Sequence, residues 1–203
     1  MHPEDRTTID LIRHGEPVGG IRFRGHQNDP LSPKGQKQMD DAIGSYSNWD
    51  LVITSPLLRC FEFAQKTATR LQLPLEIEAQ FRELDYGSWE GRTADEIREH
   101  HSGALENFFR NPIEYPPGGS ESLVAFQTRI LAAWQNTLSK HHGKRILLVC
   151  HGGTIRMVLT HLLHMPLEKL FRITVPNAGI TRIEQCSKDT DRFGQLIFHH
   201  GSL

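Results

Sequence analysis

Apolar residues along the chain fall into short aliphatic runs separated by stretches with helical spacing. Thr8-Ile9-Asp10-Leu11-Ile12 and Leu51-Val52-Ile53-Thr54 read as strands. Arg145-Ile146-Leu147-Leu148-Val149-Cys150 holds four consecutive aliphatic residues, the pattern of a strand covered on both faces. Leu75-Glu76-Ile77 predicts a short edge strand, and residues 180–183 and 195–198 predict a late hairpin with 187–192 at its tip. Between these runs the period changes. Phe61, Ala64, Ala68 and Leu71 share one helical face, as do Leu123, Phe126, Ile130 and Ala133, and again Ile155, Val158, Leu159 and Leu162. Thr93-Ala94-Asp95-Glu96 has the form of a capping box. Strands alternating with helices predict an α/β fold, a three-layer α/β/α sandwich around a mostly parallel sheet. No repeat or composition shift divides the chain, so one domain is expected over residues 1–203.

Charge and composition narrow the function classes. The 203 residues carry 24 acidic and 23 basic side chains, a formal charge of -1, which argues against nucleic-acid binding through a bulk positive field. No apolar run approaches the roughly 18 residues of a membrane span. The opening Met1-His2-Pro3-Glu4-Asp5-Arg6 lacks the apolar segment of a signal peptide. Cys60, Cys150 and Cys186 are odd in number and lack zinc-site spacing, which suits a reducing cytoplasm better than a disulfide scaffold.

Candidate chemistry concentrates at strand ends. Arg13-His14-Gly15-Glu16 and His151-Gly152-Gly153-Thr154 each put a histidine and a glycine directly after a predicted strand. In open α/β sheets ligands bind beyond the carboxyl ends of strands, so both histidines are placed on the functional edge. Gly152 opens a helix whose first N–H groups suit an anion. A third strand end, Thr54-Ser55-Pro56-Leu57-Leu58-Arg59, puts an arginine early in the next helix, where with Arg13 it can form a fork around a phosphate. The acidic, aromatic and glycine-rich run Phe81 to Gly91 offers Glu83 or Asp85 as a general acid, while Trp89 reads as core packing. The proline- and glycine-rich stretch 111–120 reads as an ordered loop beside a site. The adjacent histidine pairs at 100/101, 141/142 and 199/200 read as surface groups.

These blocks, with Gly25, Asp29-Pro30-Leu31-Ser32 and Gly35, resemble the histidine phosphatase superfamily, the phosphoglycerate-mutase-like enzymes, in order and spacing from about residue 9 to 183. The resemblance implies the phosphoglycerate-mutase-like sandwich with a core of about 8–198 and a lid-like insertion of about 85–120. It implies a phosphomonoesterase that works through a phosphohistidine, with no cofactor and no metal. His14 takes the nucleophile's place, and Arg13, Arg59 and His151 the places that bind phosphoryl oxygens. Glu83 aligns with the proton donor and is preferred over Asp85. Arg24, Gly25, Gly152 and Asn177 are candidate substrate contacts.

Within the superfamily, Arg13 to Pro17, Phe81 to Gly91 and Pro117 to Leu123 look most like the α-ribazole-5′-phosphate phosphatases of cobalamin synthesis, although Gly118-Gly119-Ser120-Glu121-Ser122 is longer than the commoner Gly-Glu-Ser. Residues 100–115 hold only Arg110 as a fixed cation, which disfavours a mutase and leaves no second anion clamp evident. The alternatives are a broad sugar-phosphate or phosphoglycerate phosphatase and, in another class, a non-catalytic phosphate-binding module. The expected partner is a small phosphate ester, with no nucleic acid or membrane, acting on a monomer or homodimer in the cytoplasm.

Overall fold

Alternation along the strands decides where the helices go. In a computed structural model that describes residues 6–186 and 194–203, the chain runs β1 (Arg6–Arg13), α1 (Pro33–Ile43), β2 (Leu51–Thr54), α2 (Leu58–Leu71), β3 (Leu75–Ile77), α3 (Ala94–His100), α4 (Ala104–Arg110), α5 (Leu123–Lys140), β4 (Arg145–Cys150), α6 (Gly152–Leu162), β5 (Ile180–Cys186) and β6 (Gly194–Gly201). One sheet holds all six strands in the order β3-β2-β4-β1-β5-β6. Pairings from β3 to β1 are parallel, and β5 pairs antiparallel with both β1 and β6. Ile9, Leu11, Ile53, Ile146 and Leu148 face one core with Phe126 and Ile130 of α5 and Ile155 and Val158 of α6. Their neighbours Ile12, Val52, Leu147 and Val149 face the other, with Met39 and Ile43 of α1 and Phe63 and Ala64 of α2. Burying apolar surface on both faces of the central strands is what makes their sequence continuously aliphatic.

The predicted strands, the capping box at Thr93 and the burial of Trp89 are all present. The predicted tip at 187–192 lies outside the described residues. Two helices have no counterpart in the sequence reading. α1 begins at Ser32, whose side chain accepts from Gly35 N at 3.0 Å, with Pro33 fitting its first turn. α4 is a single seven-residue segment whose Leu105 and Phe108 are buried. The pair Gly15 and Gly35 explains how close α1 comes: a Cβ on Gly15 would lie 2.1 Å from Gly35 O, so this glycine serves backbone packing rather than a ligand.

Candidate active site

Register brings the two histidines together. Arg13 pairs with Cys150 across the central β1–β4 ladder, so His14 and His151 leave adjacent strands at the same edge, and His14 N donates to Cys150 O at 3.0 Å. Their rings meet edge to face with centroids 5.3 Å apart. Beside them, Ser55 follows β2 and donates its N–H to Val149 O at 3.1 Å. Three neighbouring parallel strands therefore supply one row of side chains.

Within that row His14 holds one defined tautomer. Its Nδ1–H donates to Gly15 O at 2.7 Å; a carbonyl only accepts, so Nδ1 holds the proton and Nε2 keeps a lone pair. Burial, then the charges of Arg59 and Arg13, push its pKa well below the ordinary histidine value. The imidazole is neutral at pH 7. His151 is fully buried and shifted the same way, chiefly by burial and then by Arg59. Its Nε2 lies 2.7 Å from Ser55 Oγ and 3.6 Å from Cys60 Sγ, contacts that fix the ring against His14. Burial raises the Cys60 thiol far above its ordinary range, so it packs as a neutral group.

Two guanidiniums flank the histidines. Arg13 Nη1 donates to Val175 O at 2.6 Å. Arg59 is fully buried; Nη1 donates to Gln27 O at 2.7 Å, and Nη2 to Gly25 O at 2.7 Å and Arg24 O at 3.3 Å. The Nε of each is buried without a hydrogen-bond partner among the described residues. A buried donor left unpaired is costly, and two of them beside a neutral imidazole suit an anion.

Glu83 completes the group. One carboxylate oxygen accepts from Leu84 N at 2.9 Å and the other from Gly153 N at 2.9 Å, on the first turn of α6. A Cβ on Gly153 would stand 2.1 Å from Glu83 Oε1, so only glycine admits the carboxylate there. Asp85 instead accepts from Gly87 N at 2.8 Å as a turn residue and does not line the cavity.

The cavity over this row has a volume of about 320 Å³. Arg13, His14, Glu83, Gly152 and Asn177 line its polar end, and Ile21, Phe23, Tyr86, Phe109 and Phe171 its apolar wall. Ile21 is 90% and Phe109 49% exposed at the mouth. Arg24 also lines the cavity, but its three nitrogens donate to Asp29, Gly20 O and Val18 O, so it braces its own loop. Gly25 does not line the cavity. Its N–H donates to Glu90 at 2.9 Å, and a Cβ would lie 2.0 Å from Leu84 O, so its place is set by close packing. The 111–120 loop lines a separate recess and supports residues 85–88 from outside, through Ser88 N to Gly118 O at 2.9 Å.

Sequence reading gave no role to Ser55, Glu90, Arg129 or Arg156, and it read Gly153 only as part of a helix-opening turn. The Glu90 carboxylate accepts from the N–H groups of Gly25, His26, Gln27 and Tyr86. Arg129 donates to the carbonyls of Gln80, Arg82 and Glu83 while paired with Glu121 at 2.7 Å. Each is a charged group spent on backbone far away in sequence. The only signal was an acidic residue inside the Phe81–Gly91 block and an arginine on α5.

A histidine beside two guanidiniums and a helix-bound carboxylate is an arrangement that suits an anion, and comparison with known proteins gives the chain a family. The chain belongs to the histidine phosphatase superfamily (branch 1), whose sequence pattern matches residues 9–192. It is a phosphoric monoester hydrolase. It is 28% identical to the "Putative phosphoserine phosphatase 2" of Hydrogenobacter thermophilus, over 85% of this chain and 87% of that one. It is 27% identical to the "Adenosylcobalamin/alpha-ribazole phosphatase" of Escherichia coli, over 81% and 83%. A mycobacterial glucosyl-3-phosphoglycerate phosphatase shares the fold, with a TM-score of 0.85 at 23% identity over 97% of this chain and all of the other. No described helix is long and apolar enough to cross a membrane.

Proposed function

We propose that the chain hydrolyses small phosphomonoesters in two steps through a phosphohistidine on His14. The observation that carries this reading is the Nδ1–H to Gly15 O bond, which leaves Nε2 unprotonated in the field of Arg13 and Arg59, whose Nε donors are unpaired among the described residues. In the first step Nε2 attacks phosphorus, the P–O bond to the alcohol breaks, and Glu83 gives that oxygen a proton. In the second, Glu83 takes a proton from water, whose oxygen attacks phosphorus; the P–N bond breaks, and inorganic phosphate and neutral His14 are released. Arg13 and Arg59 stabilise the charge that develops on the equatorial oxygens, and His151 holds the nucleophile's ring in place. Residues from the proposed lid, about 85–120, contribute Tyr86, Ala94 and Phe109 to the alcohol end.

For the alcohol, the motif resemblance favours α-ribazole-5′-phosphate, and the aromatic wall of Phe23, Tyr86, Phe109 and Phe171 supports it, since a flat base can stack there. The phosphoserine phosphatase relative matches about as well as the α-ribazole one, so both ester types belong in the test. With EDTA present, purified enzyme should release phosphate from phosphomonoesters, and His14→Ala should remove that activity while the protein stays folded. Release that needs an added divalent cation, or that survives in His14→Ala, would overturn the proposal.

A further inference from the structure

Among the described residues the Arg13 guanidinium makes a single hydrogen bond, from Nη1 to Val175 O at 2.6 Å. Where that guanidinium sits depends on where the carbonyl is held. Val175 lies on irregular chain between the turn Leu167–Arg172 and β5. Residues 174 and 175 make no backbone-to-backbone bond among the described residues. Side chains hold the stretch instead. The successive carbonyls of Ile173, Thr174 and Val175 accept from Arg156 Nε at 2.8 Å, His199 Nε2 at 2.7 Å and Arg13 Nη1.

His199 comes to this place from the far edge of the sheet. The sequence reads the 199/200 pair as surface groups. His200 is exposed, but His199 is half-buried. A carbonyl only accepts, so Nε2 carries the proton, and in the neutral ring Nδ1 accepts from Thr181 Oγ1 at 2.8 Å. Thr181 is fully buried on β5, and His199 is its register partner on β6. Ile180 pairs with Gly201 and Thr181 with His199, so His200 is the extra residue of a β-bulge, at φ 55°. A non-glycine residue at positive φ is uncommon, and bulges re-aim side chains. Here the re-aimed side chain is His199, turned toward Thr174.

We propose that His199 is a positioning residue for Arg13: by holding Thr174 O it sets the next carbonyl, Val175 O, and through it the guanidinium. Val175 precedes Pro176, which confines its backbone to the extended region, so the plane of Thr174 O governs that of Val175 O. Ile173 O is one residue further off, across the freer torsions of Thr174, so Arg156 does not replace the link. The inference rests on the phosphomonoesterase reading above, in which Arg13 binds phosphoryl oxygens.

The test separates the donor from the ring. His199→Gln keeps an amide N–H near the place of Nε2 and loses the ring; His199→Phe keeps a ring and loses the donor. In kcat/KM for p-nitrophenyl phosphate, His199→Phe should lose about 10-fold, less than the roughly 10²-fold that a misplacement of about 1 Å can cost, and His199→Gln should stay within about 2-fold of wild type. In an Arg13→Met background His199→Phe should cost little more, since both act through one group. Should His199→Phe not fold, Thr181→Val carries the same comparison: it removes only the hydroxyl that steadies the ring and should lose about 3-fold, the low end for a neutral hydrogen bond. Equal losses in His199→Gln and His199→Phe would assign the effect to packing. Losses that add fully to those of Arg13→Met would assign it to stability. Either result refutes the proposal, as does undiminished activity in His199→Phe or, in its place, Thr181→Val. If wild-type enzyme hydrolyses neither p-nitrophenyl phosphate nor any alkyl phosphate, the phosphatase reading falls first and the positioning role with it.

Discussion

The two halves of the catalytic cavity are built by different means. On one side Arg13, His14, Ser55 and His151 leave three adjacent parallel strands, placed by ladder hydrogen bonds, with His14, Ser55 and His151 buried. On the other, Glu83, Arg24 and the cradle of Arg59 sit on irregular chain between residues 18 and 29 and between 79 and 91. That second half has no ladder. Charged side chains replace it: Glu90 gathers four backbone N–H groups, Arg59 gathers three backbone carbonyls of the same loop, and Arg129 gathers three carbonyls from the Glu83 segment. Regular structure fixes the proposed nucleophile, and side-chain-to-backbone bonds fix the proposed acid and one proposed phosphate cation. The loop half should therefore fail in ways the strand half does not.

The largest effect within the loop half belongs to the acid itself. Glu83→Gln should slow alkyl phosphates by about 10²–10⁴-fold. p-Nitrophenyl phosphate, whose leaving group needs little protonation, should lose much less. Gly153→Ala should reproduce that leaving-group signature, because its Cβ would stand 2.1 Å from Glu83 Oε1 and displace the carboxylate. Equal loss on both ester types, read from kcat/KM on each, would remove Glu83 from proton transfer to the leaving group.

Next comes the indirect support. Glu90 does not line the cavity, yet it organises residues 25–27, two of whose carbonyls hold Arg59. Glu90→Gln should lower kcat/KM by up to about 10²-fold through a misplaced guanidinium. In an Arg59→Met background the same change should cost little more, since both act through one group. Fully additive losses in this double-mutant cycle would make Glu90 a stability residue with no specific link to Arg59.

The smallest effect concerns the strand half and pH. Because His14 is held neutral by burial and by Arg59 and Arg13, kcat should stay level as pH falls through 6.5, the ordinary histidine value, and drop only below it. Stability follows the same sign. The unfolded chain takes up protons on its histidines below pH 6.5 while buried His14 and His151 do not, so unfolding becomes easier as pH falls through that value. An acid limb centred above 6.5 would show that His14 is not neutral in the working enzyme.

Legibility in the sequence divided along the same line. His14 and His151 could be placed because a strand end is visible as an aliphatic run that stops at a glycine, and parallel strands share an edge. Arg59 followed from its position just after β2. The loop half was opaque for a physical reason: Glu90 and Arg129 act on backbone groups up to 65 residues away, and backbone amides carry no sequence signature. Of Arg24 and Gly25, expected to touch substrate, Arg24 lines the cavity while bracing its own loop, and Gly25 lies off the cavity in a close packing contact. Arg156 went unnoticed because a cation on a helix normally faces solvent, and only the structure shows it turned back toward Gly152.

The central claim is a covalent phosphohistidine on His14, and rapid acid-free quenching during turnover of a ³²P-labelled ester tests it most directly. The account predicts label bound to the protein through a linkage that is acid-labile and base-stable, mapped to His14, enriched in Glu83→Gln when the ester is an aryl phosphate, and absent from His14→Ala. Steady turnover with no protein-bound label at any time point, or label mapped to another residue, would contradict it.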